Sequence, residues 1–324
     1  MNLKSLFLWE QAFLHIEDRQ GIRFREVIHM TEPLQQVLSV LPEGYRKAVN
    51  RLQPDEQNAL TEIRFRQGKR ASFILTQQEH PLPMENQSVV TPEEIAQIVS
   101  SATEYSPYAV ENEIAGGFLT LQGGHRIGLC GTAVMEQEDI KTLRDISSLC
   151  IRIARPICGV GRELAEHLFR QQESALIIGP PASGKTTLLR DTIRLLSDCY
   201  AARVSVVDER WEIAAMRHGF PQLPVGRQTD VLCGCKKEKG IILCLRAMNP
   251  QWIAVDEITS EADVKAISTA CYCGVKLLAT AHASSLEDFC ERTVYRKLLN
   301  LGFFRTAYVL SQDRCGEIVR LPCG

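Results

Sequence analysis

No stretch of the 324-residue sequence approaches the ~18 consecutive apolar residues that a membrane-spanning helix requires. A secretory leader is not expected either: Glu10 and Glu17-Asp18 interrupt the apolar stretch after Lys4, and no small-residue cleavage site follows. The chain is therefore expected in the cytoplasm, or at most against a membrane from that side. Charge of one sign is also lacking. With 37 Lys and Arg against 39 Asp and Glu, the net charge is −2, which argues against a protein whose main business is coating nucleic acid. Internal repeats and low-complexity tracts are absent. No cysteine precedes Cys130, and the 12 from there on do not read as a disulfide framework in so long a chain without an export signal. Cys233/Cys235 and Cys271/Cys273 are one residue apart, whereas structural zinc sites use about two to four intervening residues. Cys271 and Cys273 sit in a predicted helix, Val264–Cys273, where thiols behave as small apolar groups.

The length suits two domains with at least one sizeable core. In residues 1–29, Leu6, Trp9, Phe13 and Ile16 recur at helical spacing. That face reads as a docking helix or as sequence upstream of a true start at Met30, ahead of a membrane-surface helix, which would carry more Lys and Arg. Residues 30–165 read as an α+β domain. A helix over Leu34–Leu52 leads into Glu62-Ile-Arg-Phe-Arg66, which alternates as a strand with its arginines on one face, and Gln67-Gly68 turns into a second strand, Ala71–Leu75. Thr91-Pro92-Glu93-Glu94 is a helix start with Thr at the cap and Pro at the first position. Residues 117–134 form a hairpin around Gln122-Gly123-Gly124, and Ile151–Arg155 alternates as a strand ended by Pro156. From about residue 166 to 324 the texture changes. The apolar runs Ser174–Ile178, Val204–Val207, Trp252–Val255 and Val275–Ala279 are separated by helical stretches. Uninterrupted apolar runs are strands buried on both faces, so this half is expected to be α/β with a predominantly parallel sheet.

Gly179-Pro180-Pro181-Ala182-Ser183-Gly184-Lys185-Thr186 matches the Walker A pattern G-x-x-x-x-G-K-[ST] at every position, between a strand and a predicted helix, Thr187–Leu196. Its glycines let the backbone wrap so that N–H groups, with a helix N-terminus behind them, cradle phosphate oxygens. Lys185 would place charge on the β and γ phosphates and Thr186 would bind Mg²⁺; Thr187 completes the loop's contacts. ATP and Mg²⁺ are thus the expected ligands. Trp252–Val255 runs into Asp256-Glu257, a Walker-B ending in which Asp256 would hold the metal and Glu257 would polarise the attacking water. Alternatively the two acids cap a helix from Ser260. Asp208 and Glu209, at the end of another run, are candidates for metal and water; the alternative is an ion pair between Glu209 and Arg210 alone. His282, just past a further strand, is a candidate γ-phosphate sensor, against the ordinary structural role of a lone histidine. Arg246, upstream of the Walker-B strand, could neutralise phosphate charge. Arg126, Arg152 and Arg155 could reach across a subunit boundary as arginine fingers, or be solvated and ion-paired surface groups.

Gly123-Gly-His-Arg-Ile-Gly128, Arg144-Asp-Ile146, Ile151–Arg155, the run from Ile178 to Asp191 and Val207-Asp-Glu-Arg210 together resemble the stage III sporulation protein AA family, over nearly the whole chain after residue 30. The ATPase half is similar, more distantly, to type II and type IV secretion ATPases, which share an acidic box (Asp208-Glu209), a Walker-B glutamate (Glu257) and a histidine box (His282). The resemblance implies a RecA-like/AAA+ P-loop core in a homo-oligomeric ring, a hexamer. It further implies a site on the mother-cell face of the channel to the forespore, where ATP hydrolysis would power assembly or transport with the channel's membrane proteins. Two positions depart from the family pattern: Thr259-Ser260 stand where Gly-Arg is usual, and Thr132 where an arginine is usual. Hydrolysis would then be slower, or another arginine such as Arg246 or Arg292 would substitute. Rival readings are a nucleic-acid-handling P-loop protein using Arg64, Arg66, Lys69 and Arg70, and a scaffold that binds ATP with little turnover. Nucleic acid is the less expected partner, because only Phe65 offers stacking near those cations.

Overall fold

The computed structural model describes residues 32–75, 78–84, 88–104 and 110–321; the apolar face from Leu6 to Ile16 and the alternative start at Met30 lie outside them. From Pro33 onward the chain is one compact unit containing two sheets.

The single helix expected over Leu34–Leu52 is two, α1 (Glu32–Ser39) and α2 (Glu43–Asn50). The break falls at Pro42 (φ −56, ψ 152), which has no N–H to donate and drives the residue before it out of the helical region. α3 (Pro54–Ala59) then feeds β1 (Leu60–Arg66). Along β1, Ile63 and Phe65 are buried while Arg64 and Arg66 face partly outward, the alternation its sequence predicts. β2 (Ser72–Leu75) and β3 (Gln78–Pro81) follow, then α4 (Pro92–Ala102). α4 starts with the expected cap: Thr91 Oγ1 accepts from the Glu94 amide at 3.3 Å, and the Glu94 carboxylate accepts from the Thr91 amide at 2.9 Å.

After α5 (Glu111–Ala115) come β4 (Phe118–Thr120), a short 3-10 turn, β5 (Arg126–Glu136) and β6 (Asp139–Arg152). The sheet is antiparallel, in the order β3-β2-β1-β6-β5-β4. The strand expected at Ile151–Arg155 is the end of β6, which begins much earlier and stops at Arg152. The Ile153 amide still donates to the Thr61 carbonyl oxygen of β1 at 2.9 Å, and pairing ends one residue later, where the Ala154 amide donates to His125 Nδ1 at 3.0 Å. Gly131 sits at a register shift between β5 and β6. A Cβ there would come within 2.5 Å of the Arg144 carbonyl oxygen, so the close approach excludes a side chain. The core of this sheet gathers Tyr45, Ile63, Phe65, Ile95, Ile98, Ile127 and Ile151, with Tyr45 edge-on to Phe65 at 4.9 Å.

α6 (Arg162–Gln171) leads into β7 (Ser174–Gly179), α7 (Lys185–Tyr200) and β8 (Val204–Asp208). A small ribbon, β9 (Met216–Arg217) and β10 (Phe220–Pro221), precedes β11 (Thr229–Cys233), α8 (Lys237–Ala247) and β12 (Trp252–Val255). The chain continues through α9 (Glu261–Tyr272), β13 (Lys276–His282), α10 (Leu286–Glu291), α11 (Thr293–Asn300), β14 (Phe304–Leu310) and β15 (Gly316–Arg320). The second sheet runs β11-β8-β12-β13-β7-β14-β15, parallel throughout except for the edge strand β15.

Its strands serve two cores at once. Ala175, Ile177, Trp252 and Ala254 pack with α6 and α7, while Leu176, Ile178, Ile253 and Val255 pack with α8, α9 and α11. Successive side chains point to opposite faces and both faces are covered, which is why these runs contain no polar alternation. Burial pushes the Cys233 and Cys244 thiols up to about 11 and that of Cys271 up to about 12, keeping them protonated, whereas Cys273, expected within the helix, is exposed just past the end of α9.

Two contacts of the antiparallel sheet's rim generate predictions. His125 is fully buried, with Nδ1 accepting from Ala154 and Nε2 donating to Gln36 Oε1 at 3.1 Å. Burial, with Arg155 adding to it, brings its pKa from 6.5 to about 4. Between those values the unfolded chain binds the extra proton. The stability conferred by the neutral ring is therefore complete above the unfolded pKa and is lost as pH falls toward 4, by up to about 3 kcal/mol. His125→Asn keeps an acceptor for the Ala154 amide and removes the titration. In urea unfolding, its deficit relative to the wild-type protein should shrink by about 2–3 kcal/mol between pH 7 and 4.5; parallel pH curves would refute this. Next to it, Arg126 lies 3.9 Å above the Phe118 ring and pairs with Glu212 at 3.1 Å. An unfolding cycle of Arg126→Ala and Glu212→Gln should give a coupling of about 0.5–1 kcal/mol that fades with salt.

Candidate active site

Three strand ends of the parallel sheet meet at its carboxyl edge. β13 pairs with β7 so that His282 lies opposite Gly179, and with β12 so that Ala279 lies opposite Val255. The loop after β7 bends through Ala182 (φ 60) and Gly184 (φ 98) into α7, the wrap the Walker pattern predicts. Gly179 is fixed for another reason, since a Cβ would lie 2.7 Å from Ser183 Oγ and 3.0 Å from the Leu310 carbonyl oxygen. No side chain caps α7, so its first backbone N–H groups, which have no intrahelical partner, are left for an anion. Ser183 Oγ is buried in the same loop without a hydrogen-bond partner. Orphaned donors around a helix N-terminus fit a polyphosphate.

Lys185 is buried, and its Nζ donates to the Pro180 carbonyl oxygen at 2.8 Å and to His282 Nδ1 at 3.1 Å. Burial pushes its pKa down, against the pull of Glu257 and Asp256. Because Nδ1 of His282 accepts, its proton sits on Nε2, which donates to Glu257 Oε1 at 2.5 Å. Glu257 Oε2 in turn accepts from Arg210 at 2.9 Å. Glu257 also holds a left-handed backbone, φ 42, uncommon for a side-chain-bearing residue and costly unless neighbours hold it. Thr186 Oγ1 donates to Asp256 Oδ2 at 2.9 Å, placing the hydroxyl and carboxylate expected to hold Mg²⁺ side by side. Lys185, Thr186, Asp256, Glu257 and His282 thus form one cluster.

Asp208 and Glu209 stand at the end of the adjacent strand, where Val207 lies opposite Val255, and they line one small pocket with Lys237, Asp256 and Glu257. Asp208 is buried with both carboxylate oxygens engaged: Oδ1 accepts from the Glu212 amide at 2.8 Å, and Oδ2 from those of Ile213 and Ala214 at 3.1 and 2.9 Å. These bonds anchor the loop after β8, and burial pushes the Asp208 pKa up despite them. Glu209 pairs with Lys237 at 2.5 Å, not with Arg210. Arg246 is misplaced for phosphate: it is exposed in the last turn of α8. That helix begins at the carboxyl edge and runs down the sheet, so about ten residues carry Arg246 some 15 Å along its axis. The three finger candidates have partners in their own chain. Arg126 pairs with Glu212, Arg152 with Glu62 at 3.3 Å, and Arg155 donates to the Gln57 carbonyl at 3.2 Å. Thr259-Ser260 make the cap of α9, where Ser260 Oγ accepts from the Asp263 amide at 3.1 Å. Thr132 faces Arg144 across the hairpin, and Arg292 pairs with Asp288 at 2.9 Å.

Sequence reasoning missed Lys237 and Arg190. Lys237 follows two residues after Cys235 and opens α8, in a stretch with no recognisable pattern. Arg190, on α7, donates to the Ile213 and Glu212 carbonyl oxygens at 2.5 and 2.7 Å; only its place one helical turn past Thr186 could have hinted that it faces the sheet edge.

Residues 31–321 match the family described as sporulation stage III, protein AA. Stage III sporulation protein AA of Bacillus subtilis (strain 168) is 36% identical over 270 residues, 82% of this chain and 87% of that protein. Among solved structures, the pilus retraction motor PilT with bound ADP superposes with a TM-score of 0.57 at 14% identity, over 80% of this chain and 78% of PilT. The ATPase DotB of Legionella pneumophila does so with a TM-score of 0.51 at 16% identity, over 82% and 76% of the two chains. At such identities the likeness concerns the fold, a P-loop ATPase core behind an N-terminal sheet. The chain belongs to the sporulation stage III, protein AA family.

Proposed function

We propose that this chain is a Mg²⁺-dependent ATPase that works as a homo-oligomeric ring, a hexamer, on the cytoplasmic mother-cell side of the channel to the forespore. There it powers assembly or transport through the channel's membrane proteins. The observation that carries the chemical part is Glu257 held beside the Thr186–Asp256 pair at the mouth of an uncapped phosphate loop. The biological part rests on the family; in keeping with it, no helix among the described residues is long and apolar enough to cross a membrane.

In this reading Lys185 leaves the Pro180 carbonyl and His282 to meet the β and γ phosphates. Thr186 and Asp256 hold Mg²⁺, which supplies charge neutralisation on the phosphoryl group being transferred. Glu257 accepts a proton from water as the water oxygen bonds to the γ phosphorus and the bond to the β-phosphate oxygen breaks, leaving ADP and phosphate. His282, through its Nε2 proton, orients the carboxylate that receives the proton.

A second reading, a nucleotide-binding scaffold with little turnover, is favoured by one observation: each candidate arginine finger already has a partner in its own chain. The nucleic-acid reading is weakened, since Arg64 pairs with Glu62 at 2.8 Å and Arg66 with Glu79 at 2.5 Å.

Steady-state hydrolysis measured across protein concentration separates these readings. A ring motor gives Mg²⁺-dependent turnover that rises faster than linearly with protein. Lys185→Ala and Glu257→Gln should each lower it by at least about 100-fold, with ATP binding retained in Glu257→Gln and weakened in Lys185→Ala. Tight ATP binding without turnover at any concentration would select the scaffold.

A further inference from the structure

Thr280 lies in the middle of β13, fully buried, where the strand is otherwise apolar apart from its ends. A hydroxyl there must be satisfied, and its partners are the two acids of the Walker-B end on the next strand. Thr280 Oγ1 donates to Asp256 Oδ1 and accepts from the Glu257 amide at 2.8 Å, while the Thr280 carbonyl accepts from the Ile258 amide at 3.0 Å. One residue of β13 therefore holds three consecutive residues past the end of β12. The hydroxyl's single proton is committed to Asp256, so a lone pair is what receives the Glu257 amide, which is shared at the longer distance of 3.1 Å with Asp256 Oδ1.

Two consequences follow from this geometry. With Thr186 on Oδ2 and Thr280 on Oδ1, the Asp256 carboxylate is bracketed from both sides and cannot rotate. The Glu257 amide, drawn toward β13, fixes the backbone in its left-handed conformation, and this turns the side chain toward His282 and Arg210. We propose that Thr280 is a positioning residue for hydrolysis: its hydroxyl sets the orientation of both Asp256 and Glu257 before any ligand arrives. The assignment rests on the hydrolytic reading given above for its catalytic consequence, but its geometric content does not need it.

Thr280→Val keeps the shape and removes the hydroxyl; Thr280→Ser restores it. In full-length protein, Thr280→Val should lower kcat by about tenfold or more with KM for MgATP changed less than about threefold, and Thr280→Ser should recover most of the loss. A residue that merely filled space would give the reverse order, with Val the milder change. Amide hydrogen exchange in the nucleotide-free protein is the second readout. Exchange at Glu257 should quicken by about tenfold in Thr280→Val, remain near wild type in Thr280→Ser, and be unaltered at β7 amides in both. Wild-type turnover and exchange in Thr280→Val, or a Thr280→Ser protein as impaired as Thr280→Val, would overturn the proposal. A wild-type protein that hydrolyses nothing would refute the hydrolytic reading alone, and the exchange comparison would still decide whether Thr280 sets Glu257.

Discussion

The parallel pairing of β13 with β12 on one side and β7 on the other is the constraint on which this site depends. Strands that run the same way end at the same edge, so register alone determines which residues meet there. Opposing His282 to Gly179 and Ala279 to Val255 brings a phosphate loop, two carboxylates and an imidazole within hydrogen-bonding range without any long loop having to reach. The apolar runs beneath them supply the rigidity. With both faces covered, a one-residue slip of any of these strands would exchange its two cores, which is why register is so strongly specified.

Around that edge the polar groups form a continuous bracket. Asp208 gathers three amides of the loop after β8, and Arg190 takes two of its carbonyls from below. Arg126 reaches Glu212 and the Arg210 carbonyl oxygen from the antiparallel sheet. Arg210 extends from the same loop to Glu257, which meets His282 and through it Lys185. An unbroken series of contacts thus runs from the β5 strand to the phosphate loop.

Much of this was legible in the sequence, and the reasons are physical. Uninterrupted apolar runs identify two-face-buried strands because a parallel sheet leaves no wet face. The Walker pattern fixes its own geometry because Gly184 takes a backbone, φ 98, that side-chain-bearing residues rarely adopt, and Gly179 leaves no room for a Cβ. What escaped falls into two kinds. Local stereochemistry was overlooked at Pro42, which splits a helix that periodicity alone would continue. Tertiary pairing was invisible elsewhere: nothing in the string tells that Asp208 spends both oxygens on amides, that Glu209 chooses Lys237, or that Arg246 lies at the wrong end of its helix. Acid type and spacing name a candidate metal ligand; only the surrounding donors decide whether it is free to serve.

The cap on α9 constrains which side chain position 260 can carry. Ser260 supplies the hydroxyl that receives the Asp263 amide, and the Asp263 carboxylate receives the Thr259 and Ser260 amides in return. An arginine at position 260 would gain a cation near the carboxyl edge but set it on the positive pole of a helix and leave that reciprocal lock open. Losing such a cap costs about 1 kcal/mol. At position 260, helix initiation and a positive charge compete for the same residue, and helix initiation has taken it.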